Sequence, residues 1–475
     1  MDIAIINTLL ITFRGNKLGI IEDGAVGIEG SEIKFVGKTY EIDYKKADKV
    51  IDGSSHVTMP GLVNAHTHTG LTLLRGGAQD VPEIEWMNKA LAPLANHMTK
   101  DDFILGSKLG VIEGLRNGIT TFGEYTSNID ETIEEVYRQF NVRVAATKTI
   151  NEVVSKKEEL GLYDLYELDE EKGIKDLMRS NELFDKYKDY ELVDFLYGPQ
   201  AADMVSLSTL DKIFEEAKER AVKIHMHIAQ GGRERLQIKR RYGRDMTTVK
   251  VLKKHNLLPD NLIAVHCHDT NRKERKILAE NRISMIGCPN SISMIDGLIT
   301  PVADFLHFGC DVGLGTDQAP GPGTHNLFRE MRIASILSKI KYIDPTQLPA
   351  WEVLKLGSMG GAKVLGLNDK IGSIEEGKKA DIVTLDISKP NIVPVVSNPF
   401  NTIVPNLVYS TTGLEVDNVI INGELILQNN DFVNIDERNV LQESEKRANE
   451  IYTKAIDDWE ESNSHLVQMK KKGII

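Results

Sequence analysis

The strongest constraint on the fold of this chain is an alternation of short apolar segments with longer, helix-like stretches over residues 59–365. The apolar segments are "GLVNAHTH", "ITTFGEY", "VRVAATK", "LVDFLYG", "VKIHMHI", "LIAVHCH", "RISMIG" and "CDVGLGTD". Short apolar runs that alternate with helical patterns are typical of parallel strands joined by helices. The segments therefore predict an α/β fold, a TIM-like (β/α)8 barrel.

The two ends of the chain have a different texture. Residues 1–58 and 366–434 contain strand patterns separated by Gly and Asn turns, which predicts one small β-sandwich-like domain built from both chain ends. Residues 435–475 have the composition of a charged terminal helix. Residues 151–190, rich in Glu, Lys, Asp and Leu, predict a helical insertion over one barrel face. Such an insertion is a solvated decoration, an oligomer contact or a substrate lid, since long insertions after barrel strands lie at the catalytic face.

The composition argues against several classes of protein. The 475 residues are 41% hydrophobic and 27% charged, which is typical of a globular protein in solution. A net charge of −13 argues against a general nucleic-acid binder. Three cysteines are too few for a disulfide framework and indicate a reducing cytoplasm. Because the amino terminus lacks a basic leader region and no apolar run has membrane-spanning length, we expect no membrane association.

Three histidine pairs, each with one residue between its members, stand at the ends of predicted strands. They are His66 and His68, His225 and His227, and His266 and His268. Residues two apart on a strand point to the same side, and the carboxyl ends of barrel strands converge on one point. Asp317 ends the last strand. A single histidine is more often a core or surface residue, but three pairs with an aspartate predict a metal site.

The motifs "PGLVNAHTHTGLTLLRG", "HMHIAQ", "GCPNS" and "GLGTD" resemble those of the amidohydrolase superfamily. Within it, the chain is most similar to the branch of cytosine, guanine and S-adenosylhomocysteine deaminases and triazine hydrolases. The resemblance implies one divalent metal, zinc in most relatives and iron in some. The ligands that it implies are His66, His68, His227 and Asp317. It also implies that His266 orients or polarises the attacking water. His225 and His268 lie off the matched positions, so we expect them to support the ligands, His225 from beneath its neighbour His227, or to fill the barrel.

The implied chemistry is hydrolysis. A bound divalent metal lowers the pKa of its water from about 15.7 to about 7, which supplies hydroxide near neutral pH. Asp317 would accept the proton of that water, hydroxide would attack an electron-poor ring carbon, and an amine would leave. In the deaminases of this branch, the carboxylate of an H-x-x-E element protonates the neighbouring ring nitrogen.

This chain departs from that pattern, because His227 is followed three residues later by Gln230. An amide can donate a hydrogen bond to a ring, but it cannot transfer a proton as a carboxyl group does. Three interpretations stay open. The substrate needs no ring protonation because it is already activated or cationic, or His266, His268 or His325 supplies the proton, or the reaction has been lost.

A second departure concerns the substrate. The glutamate that holds ribose hydroxyls in the adenosine-type deaminases corresponds here to Ala95, followed by Asn96. This favours a substrate other than S-adenosylhomocysteine or methylthioadenosine. Four further residues are candidates for substrate contact, with local packing as the alternative role of each. They are Arg75, Trp86, Gln318 and His325.

These observations predict a cytoplasmic, metal-dependent aminohydrolase with one metal ion, acting on a triazine-, pterin- or purine-like ring. The closest alternatives expel another group from the same site, such as chloride, or open a cyclic amide. A non-catalytic barrel scaffold is the alternative from a different class. From the resemblance we expect a homodimer or a larger homo-oligomer, with no nucleic-acid partner.

Overall fold

The computed structural model describes residues 1–154, 161 and 163–475. The strands of the amino-terminal half are β1 Ile3–Ile11, β2 Ile20–Glu29, β3 Glu32–Lys38, β4 Lys49–Asp52, β5 His56–Pro60, β6 Leu62–Thr67, β7 Ile119–Thr126, β8 Arg143–Ile150 and β9 Val193–Pro199. The later strands are β10 Ile224–Ile228, β11 Leu262–His266, β12 Ser284–Gly287, β13 Val312–Leu314, β14 Ile382–Asp386, β15 Val416–Ile421, β16 Glu424–Gln428 and β17 Asp431–Phe432. These strands form two sheets.

The helices fill the intervals between the strands. The α-helices up to β11 are α1 Glu83–Glu85, α2 Ala92–Ala95, α3 Lys100–Arg116, α4 Ile129–Thr132, α5 Glu170–Tyr187, α6 Leu207–Glu219, α7 Gly232–Tyr242 and α8 Thr248–Lys254. The later ones are α9 Arg272–Glu280, α10 Pro289–Ile295, α11 Val302–His307, α12 Leu327–Tyr342, α13 Ala350–Lys355, α14 Gly361–Leu365, α15 Ile403–Tyr409, α16 Glu437–Lys454, α17 Ile456–Glu461 and α18 His465–Lys471. Short 3₁₀ segments are Arg14–Asn16, Thr39–Glu41, Tyr44–Lys46 and Thr69–Leu74, and π-helical turns are Trp86–Leu91, Ile133–Tyr137 and Leu356–Gly360.

Strands β6 to β13 form the predicted barrel. Each pairs in parallel with the next in chain order, as in the register of Met226 with Ala264 between β10 and β11. A bridge between Thr67 and Asp317 brings the first strand against the last. The strand residues are almost all buried, because one face fills the barrel and the other packs under helices. The TIM-like barrel prediction is confirmed.

Both chain ends build the second sheet, as the strand patterns predicted. Its order is β17-β16-β15-β14-β5-β1-β2-β3, with β4 paired to β1. The two ends meet where β14 runs antiparallel to β5, with Val383 opposite Met59. Buried isoleucines from both ends, including Ile5, Ile28 and Ile382, pack in one cluster. The two chain ends therefore contribute to one hydrophobic core.

An ion pair connects the barrel to this sheet at the amino-terminal ends of the barrel strands. Arg143, the first residue of β8, donates from Nε to Asp381 Oδ2 at 2.7 Å and from Nη2 to Oδ1 at 3.0 Å. The Arg143 side chain is fully buried and that of Asp381 is 2% exposed. The amide of Asn422 donates a further hydrogen bond to Asp381. The pair is therefore satisfied on several sides, which a buried ion pair requires.

Part of the segment 151–190 differs from the expected insertion. Helix α5 packs against β8 and β9, the two strands that it joins. It therefore takes the place of an ordinary barrel helix, for which its burial pattern is suited because Leu177, Leu183 and Tyr187 share its buried face. Residues 155–160 and 162, also in this segment, lie outside the described residues.

The carboxyl-terminal segment 435–475 contains three helices, α16 to α18, where a terminal helix was expected. Helix α16 packs on α3, and Arg447 forms an ion pair with Asp102 at 2.8 Å. In the described part of the chain, no helix is both long enough and apolar enough to cross a membrane.

Candidate active site

A cavity of about 600 Å³ opens at the carboxyl ends of the barrel strands, where TIM barrels carry their chemistry. The ends of several strands and the loops after them form its wall. Predicted site residues that line it are His68, Trp86, His227, Gln230, His266, Asp317 and Gln318. The barrel thus brings together residues that are up to about 250 positions apart in sequence.

The first histidine pair and the last aspartate meet at the floor of this cavity. Asp317 Oδ1 lies 3.6 Å from His68 Nε2 and 4.0 Å from His66 Nε2. The bridge between the ends of β6 and β13 produces this proximity, since the amide of Asp317 donates to the carbonyl of His66 at 3.1 Å. The other carboxylate oxygen, Oδ2, accepts a 2.5 Å hydrogen bond from Ser291 Oγ. Asp317 is therefore held with Oδ1 toward the histidines.

Backbone carbonyls fix the orientation of two imidazoles. His68 Nδ1 lies 2.7 Å from the carbonyl oxygen of Tyr125, and His227 Nδ1 lies 2.8 Å from that of Gln200. A carbonyl can only accept a hydrogen bond, so each Nδ1 carries the proton. Each Nε2 is then left with a free lone pair, which is the state that a metal ligand needs.

His225 supports His66. Its Nε2 lies 2.9 Å from His66 Nδ1, and its Nδ1 lies 3.0 Å from the hydroxyl of Thr147. We expected His225 to support its neighbour His227, but the side chains of the barrel interior place it under the first-strand histidine instead. His66 Nε2 is buried and has no hydrogen-bond partner among the described residues. An orphaned buried nitrogen of this kind indicates a missing ligand.

Burial keeps these histidines uncharged. It lowers the pKa of His66, His225 and His266 well below the ordinary histidine value, and nearby histidines act in the same direction. Burial also lowers the pKa of His227 to about 3, helped by the charge of neighbouring imidazoles. Neutral imidazoles are the form that binds divalent metals.

The backbone is strained at the strand ends that carry the site. Non-glycine residues with φ in the left-handed region are Ala229 at 52°, His266 at 75°, Cys267 at 52° and Asp317 at 61°. Such conformations are disfavoured for residues with a Cβ and cost about 1–3 kcal/mol each. Ala229 and Cys267 directly follow β10 and β11, His266 ends β11, and Asp317 lies three residues after the end of β13. The strain redirects the chain where it presents side chains to the cavity.

The donor atoms fit a divalent metal. One ligand atom each from His66, His68 and Asp317 lie within 4.8 Å of one another, and so do atoms of His66, His227 and His266. Buried neutral nitrogens with one carboxylate oxygen form a ligand set typical of zinc and of related divalent ions. His66 belongs to both sets, and its unpartnered Nε2 lies where they overlap.

Three predicted substrate-facing residues carry unsatisfied donors toward the cavity. The Nε2 atoms of Gln230 and Gln318 and the Nε1 atom of Trp86 have no hydrogen-bond partner in the described part of the chain. Gln318 is only 3% exposed, and its Oε1 accepts from the amide of Gly321 at 2.9 Å. Buried donors without a partner are rare in folded proteins, so their presence around a cavity indicates contact with a ligand.

Two other candidates are placed elsewhere. Arg75 forms an ion pair with Glu113 at 2.6 Å and donates to the carbonyl of Gly323, outside the cavity wall. His325 is fully buried behind the site, where its ring hydrogen-bonds the hydroxyls of three threonines, and burial lowers its pKa to about 4. Those threonines are Thr67, Thr72 and Thr316. Their positions do not support the predicted substrate contacts, because both side chains are already engaged in packing the loop.

The structure also limits the candidates for a proton donor. Of His266, His268 and His325, His266 alone lies on the cavity wall. His268 is buried, with Nε2 at 3.3 Å from Asp296 Oδ1. The sequence pattern did not single out this aspartate.

Sequence analysis missed several charged residues that reach the cavity, notably Glu83, Glu124, Arg233 and Asp296. Glu124 is the next-to-last residue of the predicted second strand, so its position near a strand end was a usable signal. Burial raises its pKa to about 7, although hydrogen bonds from Thr69 and Tyr137 oppose the shift. Glu83 begins the three-residue helix α1 and Asp296 directly follows α10, and no periodic pattern there marks the side that faces the barrel.

The fold and the histidine site define a class of protein. The model of the amidohydrolase family matches residues 57–426, which cover the whole barrel and much of the shared sheet. The chain belongs to the amidohydrolase family, as its motifs predicted.

Characterised relatives match almost the full length. The chain is 32% identical over 451 residues to the 5-methylthioadenosine/S-adenosylhomocysteine deaminase of Thermoanaerobacter pseudethanolicus, covering 94% of this chain and 99% of that protein. It is also 32% identical over 453 residues to the 5'-deoxyadenosine deaminase of Methanosarcina mazei, covering 95% of this chain and 98% of the other.

Solved structures share the fold. An adenosine deaminase from Xanthomonas campestris with bound zinc superposes with a TM-score of 0.86 at 26% identity, covering 95% of this chain and 99% of that one. The atrazine chlorohydrolase of Arthrobacter aurescens, complexed with zinc, has a TM-score of 0.83 at 23% identity, covering 94% and 100%. The second likeness concerns the fold alone.

Proposed function

We propose that this protein is a metal-dependent aminohydrolase that removes an amino group from a nitrogen heterocycle. The observation that carries the proposal is the pair of overlapping donor sets at the floor of the barrel cavity, with an orphaned nitrogen on His66, the residue that they share. One set is His66, His68 and Asp317, and the other is His66, His227 and His266. Deaminases that match nearly the whole chain at 32% identity support the same chemistry.

The metal that we propose is zinc, held by His66, His68, His227 and Asp317. A related adenosine deaminase with bound zinc supports this choice, and iron is the alternative. When bound, such a metal supplies a hydroxide nucleophile from water near neutral pH. The protein's own contribution is to hold neutral imidazoles in place, through the carbonyls of Tyr125 and Gln200 and the ring of His225.

Asp317 accepts the proton of the attacking water in this proposal. Its Oδ1 faces the two first-strand histidines, while Ser291 holds Oδ2 at 2.5 Å and prevents the carboxylate from rotating. His266 lines the same wall, and its ring lies 5.4 Å from that of His227. It is therefore placed to hydrogen-bond the water or the oxygen that develops on the ring carbon.

The substrate's ring would lie between Trp86 and the two glutamines. Trp86 offers an aromatic face, and the free amide groups of Gln230 and Gln318 can each donate to a ring nitrogen or carbonyl. Ala95, which replaces the ribose-binding glutamate of adenosine-type deaminases, is not part of the cavity wall among the described residues. We therefore favour a triazine-, pterin- or purine-like ring that lacks the ribose contact of those enzymes.

The proposal is tested by assaying zinc-loaded protein on a panel of aminated triazines, pterins and purines, with ammonia release as the measurement. Ammonia from at least one ring, absent from an Asp317→Asn control, is the expected result. Chloride from a chlorinated triazine or a carboxylate from a cyclic amide would assign another leaving group to the same site. Protein that holds no stoichiometric zinc or iron and is inactive after metal is added would support a scaffold role instead.

The cytoplasmic location and a homodimeric or larger assembly are further parts of this proposal. All three cysteines are free, and Cys267 and Cys288 are buried, which suits a reducing compartment. Size-exclusion chromatography with light scattering would measure the assembly directly.

A further inference from the structure

Two carboxylates face one notch in the cavity wall, next to the position where the deaminases carry their proton-donating glutamate. Gly231, the residue after Gln230, forms the back of the notch with φ at 128°. A Cβ on this glycine would lie 3.0 Å from Asp296 Oδ1 and 3.1 Å from Glu83 Oε1. Glycine is required here, both because of its φ value and because a side chain would fill the space between the carboxylates.

The two carboxylates are incompletely neutralised by their surroundings. Burial, and after it the charge of Asp296, raises the pKa of Glu83, while Arg233 opposes the shift. The Arg233 guanidinium also donates to the hydroxyl of Tyr166, whose ring lies 5.4 Å from it. The charge of Arg233 is thus shared between Glu83 and Glu234. Like charges held together in a partly desolvated wall, as those of Glu83 and Asp296 are, favour the binding of a cation.

Buried side chains without partners point to a ligand at the same place. His268 is 7% exposed, and neither of its ring nitrogens has a hydrogen-bond partner within the described residues, although Nε2 lies 3.3 Å from Asp296 Oδ1. Gln318, 3% exposed, lines the same cavity with its Nε2 atom unpartnered. Its Nε2 and Ile295, the residue before Asp296, both approach Gly321 closely. Buried nitrogen atoms without a hydrogen-bond partner among the described residues therefore lie both next to Asp296 and on the cavity wall.

We infer that Glu83 and Asp296 form a cation subsite, and that the substrate carries a positively charged nitrogen group, a protonated amine or an amidinium, on or beside its ring. Each carboxylate can accept charge-assisted hydrogen bonds from such a group, which are about twice as strong as neutral ones.

This inference rests on the proposed function and explains the glutamine at its centre. A neutral ring needs a proton before hydroxide can attack it, whereas a ring that enters as a cation is already electron-poor. Gln230 directly precedes Gly231 in the chain. A glutamate at position 230 would make the ring positive by donating a proton, whereas the inferred substrate already carries the positive charge. The two nearby carboxylates stabilise that charge, and no proton transfer from position 230 is needed.

The test compares the binding of benzamidine and benzamide to the zinc-loaded protein by isothermal titration calorimetry. The two probes are planar and nearly the same shape, but benzamidine carries a positive charge at neutral pH. We expect benzamidine to bind at least about tenfold more tightly, a difference of about 1.4 kcal/mol. In Asp296→Asn and in Glu83→Gln, this preference falls to about threefold or less.

The control is Asp176→Asn, which removes a negative charge from the same cavity at a site where Lys148 is its partner at 3.0 Å. This variant keeps the tenfold preference. Equal binding of the two probes to the unmodified protein would overturn the inference without any variant being needed. It would also be overturned if both notch variants kept the full preference. The cation subsite is tested by binding, and the proposed function is tested by ammonia release. One of the two claims can therefore fail while the other holds.

Discussion

The two ends of the barrel differ in how their buried polar groups are paired. At the amino-terminal ends of the strands, the buried Arg143 is matched by Asp381, which also accepts from the amide of Asn422. At the carboxyl-terminal ends, buried nitrogen atoms that include His66 Nε2 and Gln230 Nε2 have no hydrogen-bond partner among the described residues. At the first end the buried charge is matched by the chain itself, whereas at the other end several buried polar atoms are left for the ligand that we propose. The same strands therefore contribute to stability at their amino-terminal ends and to the candidate active site at their carboxyl-terminal ends.

The backbone repeats this contrast. Left-handed residues near the amino-terminal ends, such as Asn141, Asn256 and Gly309, follow helical segments, where this conformation commonly ends a helix. At the opposite end, the same conformation occurs at His266 and Asp317, which are site residues. Strain of this kind persists only where the surrounding structure enforces it. Its position at the carboxyl-terminal ends of the strands agrees with a binding site there.

The largest effect is expected at the carboxyl-terminal end. Asp317→Asn removes the proton acceptor but keeps the size of the side chain and the hydrogen bond to Ser291. We expect the rate of ammonia release to fall about 10³-fold or more, with little change in melting temperature. Steady-state kinetics and calorimetry on the same preparation measure both. A variant that retained near-normal turnover would show that Asp317 is not the base.

At the amino-terminal end, Arg143→Met should lower the stability of the fold, whereas Asp317→Asn lowers the reaction rate. It leaves Asp381 buried without its cation, so we expect the free energy of unfolding to fall by about 3–5 kcal/mol. Urea denaturation measures this loss. The double variant Arg143→Met with Asp381→Leu is the matched control, and it should recover most of the stability because it removes both charges. If the single variant unfolded at the same urea concentration as the unmodified protein, the pair would have no role in stability.

A smaller effect is expected below the site. His225→Gln removes the ring that holds His66 Nδ1, so zinc affinity should fall about 10–100-fold. Competition with a chromophoric chelator measures this affinity. His255→Gln, at the exposed carboxyl end of α8, should leave the affinity unchanged. Equal affinities in the two variants would mean that His225 merely fills the barrel.

The smallest effect is expected at position 230. Gln230→Glu restores the carboxyl group of the H-x-x-E element, so the pH–rate profile should gain a new ionisation, or neutral aminated rings should become substrates. Rates measured across the pH range on a cationic and a neutral ring test this. An unchanged profile with unchanged selectivity would show that the residue does not contact the reacting group.

The sequence predicted local features well, because they depend on short-range periodicity. Two-residue spacing placed His66 with His68 on one side of a strand, and the alternation of strands with helices gave the barrel. Contacts between distant strands could not be predicted in the same way. The partner of His225 depends on how the barrel interior packs, and the engagement of Arg75 by Glu113 depends on a helix 38 residues away.

The cation subsite could not be predicted from the sequence for a related reason. Glu83 and Asp296 lie more than 200 residues apart, in segments whose inward-facing side follows no repeating pattern. Gln230, by contrast, was recognisable because it breaks a motif at a fixed spacing from His227. A substitution within a motif is visible in one sequence, whereas its compensation elsewhere needs the three-dimensional arrangement.

The central claim, that the unsatisfied end of the barrel is completed by a metal for hydrolytic deamination, is tested most directly by removing and restoring that metal. The protein is stripped with a chelator, and ammonia release from the aminated heterocycle panel is measured before stripping, after it, and after one equivalent of zinc is returned. Activity that disappears on stripping and returns at one zinc per chain is the predicted result. Ammonia release that continues undiminished in metal-free protein would contradict the account.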